Sequence, residues 1–174
     1  MSRSRSWECH FPSRKIAHRL AILTMKANPI PTNYPQLCAS IATRDTAGAI
    51  EFYKQAFGAK VRMCLKEPGG RIGHAELEFG SGLLMLSDKY EGFNNSPDDA
   101  DGKTTVVLHL YVEDVDATLD RAVAAGAKLT MPAKDQFYGD RSGRIVDPFG
   151  HVWAIATHVA DVSMEEMEKK MSAM

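Results

Sequence analysis

The chain has 174 residues, 44% hydrophobic and 25% charged, with a net charge of −1, as expected of a globular domain large enough to bury a core. No run approaches the ~20 apolar residues of a membrane span, and the near-neutral balance excludes nucleic acid as a main partner, since phosphate binding needs a concentrated basic surface. Three cysteines, Cys9, Cys38 and Cys64, lack metal-type spacing and read as reduced thiols of an intracellular protein.

The first 24 residues stand apart. They hold five Lys/Arg (Arg3, Arg5, Arg14, Lys15, Arg19) and one acid, Glu8. Residues 1–29 are therefore expected to be a disordered basic leader, with Met25 as an alternative start of the protein. A cytoplasmic location is expected, with a mitochondrial one as the alternative if residues 1–24 are a presequence.

After the leader the chain repeats itself. An apolar strand over 37–43 leads into a helix capped by Asp45, with Ile50, Tyr53 and Phe57 at helical spacing and Gly58 as its stop. Strand-like runs follow at 59–66, 71–79 and 82–87, separated by glycine-bearing turns. Residues 89–104 form a polar linker. A strand over 106–112 then leads into a second helix capped by Asp114, with Val115, Leu119, Ala122 and Val123 on one face and Gly126 as its stop. Three more strands follow at 127–131, about 139–146 and 151–157, the last two joined by the Asp147-Pro148-Phe149-Gly150 turn. The second unit lies 69 residues after the first, as Asp45 and Asp114 show. The fold class is thus α+β: two βαβββ modules, at about 36–88 and 105–158, within a domain spanning 30–160. A short C-terminal helix over 161–174 is expected from Ser163 and Glu166, with Met164, Met167 and Met171 as a stripe that packs on the core or an edge.

Three segments carry a family resemblance. They are AIEFYKQAFGA at 49–59, LHLYVEDVD at 108–116 and DQFYGDRSGRIVDPFGHVW at 135–153. Together with the paired βαβββ pattern they resemble the vicinal-oxygen-chelate (glyoxalase/bleomycin resistance/dioxygenase) superfamily, and its PhnB-like branch. The resemblance implies two sheets paired into a cup that binds a small molecule, and a homodimer, with modules pairing within one chain or by exchange between two. In metal-dependent members four inward side chains hold a divalent ion. Carried onto this chain, their positions are Cys38, Met85, Val107 and Ala154, and the 69-residue offset relates them in pairs. Val, Met and Ala do not ligate such an ion, so no metal and no cofactor is expected.

Strand alternation supplies other candidates. With Val107 facing the cup, His109 and Tyr111 share its face. With Ala75, Leu77 and Phe79 facing the helix, His74, Glu76 and Glu78 face away. His74, Glu76 and His109 are the expected acid/base groups, and Tyr111, Tyr138 and Arg141 the expected ligand-binding groups, Arg141 for an anionic substituent. His151 and Trp153 are expected to pack against a helix. The expected function is small-molecule binding, with metal-independent acid/base chemistry on a small carbonyl or anionic substrate. The alternatives are a metal-dependent lyase, isomerase or ring-cleaving dioxygenase with a rearranged site, and a protein that sequesters an antibiotic or toxin.

Overall fold

A computed structural model describes residues 28–100 and 104–173. The expected leader and the choice between Met1 and Met25 lie almost wholly outside the described residues.

Each half of the chain folds as strand, helix and three strands. The first module comprises β1 (Ala39–Thr43), α1 (Thr46–Phe57), β2 (Lys60–Lys66), β3 (Ile72–Phe79) and β4 (Gly82–Asp88). The second comprises β5 (Val107–Tyr111), α2 (Val115–Ala124), β6 (Lys128–Asp135), β7 (Asp140–Val146) and β8 (Val152–His158). A single turn of 3-10 helix at Pro97–Ala100 lies in the linker, and α3 (Met164–Ser172) ends the chain. The strand orders are β1-β4-β3-β2 and β5-β8-β7-β6, in each case with one parallel pair and two antiparallel pairs.

Local chemistry explains the helix ends. Asp45 accepts the Gly48 N–H (2.8 Å) and Asp114 accepts the Ala117 N–H (2.9 Å), the cap each position implies. Gly58 closes α1 in the left-handed region, at φ 69°. The register repeats with the sequence: Ser40 lies opposite Met85, and His109, 69 positions on, lies opposite Ala154.

The modules meet through their helices and the sheet faces that carry them. Tyr53 of α1 is fully buried, and its hydroxyl donates to Asp147 Oδ2 (2.7 Å) in the turn before β8. Trp153 Nε1 donates to the same oxygen (2.9 Å), while the Phe149 and His151 N–H groups donate to Oδ1. One buried carboxylate thus gathers four donors and ties α1 to the second sheet. Burial first, then the Asp147 charge and hydrogen bond, push the Tyr53 hydroxyl pKa well up, so it stays a donor. Phe57 and Phe79 also pack on Trp153, at ring separations of 4.8 and 5.8 Å. His151 is buried and donates to the Ala42 carbonyl (3.2 Å). His151 and Trp153 therefore both serve the packing.

One strand differs from its sequence expectation. Strand β6 continues to Asp135 instead of ending at 131, because it is an edge strand whose pairing slips between Met131 and Lys134, where Pro132 needs no ladder hydrogen bond. Helix α3 forms under its Ser163 cap, with the Glu166 N–H donating to Ser163 Oγ (3.2 Å), but none of its residues is buried. Met164 and Met171 are exposed and Met167 is half-buried, and the three line a groove together with Phe137 and Tyr138. Among the described residues no helix is long and apolar enough to cross a membrane.

Candidate functional site

With the helices covering one face of each sheet, the opposite faces are open. These are the faces expected to line the cup. On the first sheet the open rows run Ser40, Met85, Glu76, Met63 and, one step over, His74, Leu65. On the second they run His109, Ala154, Arg144, Met131 and Tyr111, Ala156, Ser142, Lys134.

Glu76 dominates the first open face. Ala75 and Leu77 point to the helix and are fully buried, as alternation requires, yet Glu76 on the other face is itself only 2% exposed. What covers it is the segment before β1. Tyr34 donates its hydroxyl to Glu76 Oε1 (2.9 Å), and His74 Nε2 donates to the same oxygen (3.1 Å). Arg62 stacks over the Tyr34 ring (4.1 Å), donates to the Asn33 carbonyl (2.9 Å) and brings Nε to 3.4 Å from Glu76 Oε2. Oε2 is buried and has no hydrogen-bond partner. Burial works to raise the Glu76 carboxyl, but the hydrogen bonds from His74 and Tyr34 and the Arg62 charge outweigh it. The carboxyl is held below its usual range and stays ionised.

The second open face has its own carboxylate. Asp140 is buried; it accepts the Tyr111 hydroxyl on Oδ2 (2.8 Å) and His158 Nδ1 on Oδ1 (2.8 Å). His158 Nε2 also donates to Asp161 (3.1 Å), so both ring nitrogens carry protons and the imidazole pKa is raised, first by Asp140 and then by Asp161. Burial opposes ionisation of Asp140, but His158 and Tyr111 prevail and keep it below the usual range. His109 stacks near Tyr111 with ring centroids 4.8 Å apart. A cavity of about 230 Å³ opens beside it, lined by Lys134, Gln136, Tyr138, Ser142 and Arg144 among others.

Of the expected acid/base groups, His74 and Glu76 come together, while His109 lies on the other sheet and shares no hydrogen bond or ion pair with them among the described residues. Tyr138 reaches the His109 cavity, and Tyr111 is engaged by Asp140. Arg141 is placed differently from the expectation. It sits in the row facing α2, where Asp116 takes Nε and Nη2 (2.7 and 2.9 Å) and Asp135 takes Nη1 (3.1 Å). Its fork is filled by protein carboxylates, and it does not line the cavity. Arg144, three residues on and across the strand, does. Continuing the alternation of β7 from Ile145 would have found it. Tyr34 had no periodic signal, since it lies in the irregular segment before β1 that folds back over β3, and Arg62 is the extra residue where the pairing of β2 shifts between Val61 and Met63.

The four positions that hold a metal in other members carry different side chains in this chain. Cys38 Sγ donates to the Pro35 carbonyl (3.3 Å), Met85 lies between Ser40 and Glu76, and Val107 and Ala154 offer no ligand atom. Among the described residues no group of three or more His, Cys, Asp or Glu side chains has an arrangement that could hold an ion. The donor set does not fit the superfamily's metal.

The match with known proteins agrees with this architecture. The model of the Glyoxalase/Bleomycin resistance protein/Dioxygenase superfamily matches residues 36–155. The chain belongs to that superfamily. It is 37% identical over 160 residues to uncharacterized protein Rv0887c of Mycobacterium tuberculosis, a match covering 90% of this chain and 92% of that one. The crystal structure of TioX from Micromonospora sp. ML1 superimposes with a TM-score of 0.58 at 29% identity, covering 72% of this chain and 99% of TioX. A PhnB protein from Bacillus cereus, described as a putative 3-demethylubiquinone-9 3-methyltransferase, superimposes with a TM-score of 0.53 at 15% identity. That match covers 71% of this chain and 99% of the other, and at this identity it shows the fold alone. The glyoxalase-like architecture is thus as the sequence motifs imply.

Proposed function

We propose that this member of the superfamily is a homodimeric, cytoplasmic small-molecule-binding protein that carries out metal-independent acid/base chemistry on a small carbonyl or anionic ligand. Glu76 carries the reading. It is a buried, ionised carboxylate on an open sheet face, with one oxygen held by Tyr34 and His74 and the other without a hydrogen-bond partner. Arg62 Nε lies 3.4 Å from that second oxygen, so protein groups compensate the carboxylate, and His74, with its side chain 36% exposed, is the member of the group that a ligand can reach.

The lowered carboxyl makes Glu76 a weak base and a good orienting group. By accepting from His74 Nε2 it fixes the neutral imidazole as the tautomer whose Nδ1 carries the lone pair. His74 is then the group that moves a proton and Glu76 the one that positions it, the division of labour of a carboxylate–histidine pair. His109 would supply the second polar group from the facing sheet of a dimer partner. The open faces favour such a partner, since Leu65, Val107 and Tyr111 are 57%, 44% and 59% exposed.

The test uses metal-stripped protein with a panel of small 2-oxo acids and hydroxyketones in deuterated water, followed by proton NMR. Exchange of the carbon-bound proton or product formation is expected, reduced about a hundredfold in His74→Gln and Glu76→Gln. Activity that requires stoichiometric zinc, nickel or iron would instead favour a metal-dependent enzyme. Tight binding with neither exchange nor product would favour sequestration.

A further inference from the structure

We propose that the open face of the second sheet holds an oxyanion subsite, built by Arg144 and Lys134, which takes the carboxylate or phosphate head of a small organic ligand. This rests on the reading of the chain as a small-molecule binder and adds the charge class of what is bound.

The site follows from strand register. In β7, Ile145 and Gly143 face α2; a Cβ at Gly143 would lie 2.6 Å from Leu119 Cδ1. Ser142 and Arg144 therefore face the open side. Strand β6 places Met131 opposite Arg144, and with regular pairing Ala133 would fall opposite Ser142. The register slips by one residue in this interval, and Lys134 takes that place instead. A bulge of this kind re-aims a side chain, and here it puts a second cation on the face that already carries Arg144. Both line the cavity of about 230 Å³.

Three observations select an anion. Among the described residues no carboxylate lines the cavity, although the chain carries 22 Asp and Glu residues. Among the described residues neither Arg144 nor Lys134 has an ion-pair partner, whereas nearby Arg141 is clamped by Asp116 and Asp135. Neutral hydrogen-bonding groups complete the lining: Ser142, Gln136 and Tyr138. The Arg fork suits two oxygens of one head group and the Lys ammonium adds a point charge. Met131, Ala154 and the Tyr138 ring supply apolar wall. The volume falls below the roughly 300–1,000 Å³ of a complete drug-sized pocket, so it accommodates a head group, with the body of the ligand extending outward.

The first module has no counterpart. By strand pairing, Glu76 holds the place of Arg144 and Leu65 that of Lys134. The two cations are thus particular to the second module and not a by-product of the internal repeat.

The test is a titration of the isotope-labelled full chain with benzoate, phenylphosphonate and the neutral benzamide at constant ionic strength, read by amide chemical shifts. Both anions are expected to bind at millimolar concentration and to displace one another, and benzamide to fail. Either order of affinity supports the site and names its head group. Arg144→Gln and Lys134→Gln should each weaken anion binding about tenfold, the loss of one charge-assisted hydrogen bond. Both side chains are exposed, and unchanged melting of the variants would show that the fold is kept. Equal binding of benzamide, absence of anion binding, or wild-type affinity in both variants would overturn the subsite. Glu76→Gln separates the two readings. If it leaves the exchange chemistry intact, the acid/base proposal falls while the anion site stands; if only the Arg144 and Lys134 variants behave as wild type, the reverse holds.

Discussion

Glu76 shows how much a single residue's surroundings decide. Alternation along β3 puts it on the open face, where a glutamate would ordinarily be solvated. Tyr34, Arg62 and His74 instead enclose it, and their combined pull outweighs the cost of burial. Its folded-state pKa lies below the ordinary value, so its contribution to stability is present above the usual carboxylate range and is lost as pH falls through the lowered value. Glu76→Gln removes that contribution. The variant is expected to melt below the wild type at neutral pH, with the difference shrinking as pH drops under the usual carboxylate range. Thermal melts at a series of pH values check this, and a gap independent of pH would mean that Glu76 does not contribute through its charge. His158 on the other sheet has the opposite sign. Its pKa is raised by Asp140 and Asp161, so its contribution is complete below the ordinary imidazole value and fades as pH rises through the raised one.

At the scale of elements, the close approach of α2 to its sheet depends on Gly143. A Cβ there would meet not only the flexible end of Leu119 but also the Met131 carbonyl oxygen at 2.8 Å, and backbone yields little. Gly143→Ala should cost about 1–3 kcal/mol as overpacking, with a melting point lower by about 2–4 °C for each kcal/mol. Unchanged melting would show that β6 and β7 shift apart freely. The elements are legible in the sequence where periodic signals govern them. The Asp caps, the glycine stops and the 69-residue repeat lead to both modules and to the outward aim of His74 and Glu76. Expectation and structure part where pairing departs from period. Two slips in β6, at Leu129/Met131 and Met131/Lys134, put Met131 on the open face together with Lys128 and Lys134, which no strict alternation along the strand could show. The return of residues 33–38 over β3 leaves no pattern at all, so Tyr34 is invisible in the sequence as a partner of Glu76. Arg141 stands out by its charge alone, whereas its surroundings, Asp116 and Asp135, fill its fork.

For the whole molecule, the decisive asymmetry is between the two open faces. The first carries Glu76 and Glu78 with Arg62 beside both, the second Arg144 and Lys134 with Asp140 held by His158. The first is therefore the more acidic and the second the more basic, and both expose apolar side chains that a partner sheet would cover. If two chains pair by exchange, the first module of one faces the second module of the other and acid meets base. If like modules pair, basic faces basic. Val107, 44% exposed in β5, lets the two arrangements be told apart. Light scattering of the wild type should give twice the 19.2 kDa chain mass, as expected for an interface burying at least about 1,000 Å². Under exchange, Val107→Glu places a carboxylate opposite an acidic face and should dissociate the dimer at a concentration where Val107→Lys leaves it intact. Under like-with-like pairing the order inverts, since the introduced ammonium would meet Arg144 and Lys134 of an identical surface. A wild type that stays at the single-chain mass at high micromolar concentration would remove the dimer itself, and with it the role of a partner's His109 opposite Glu76.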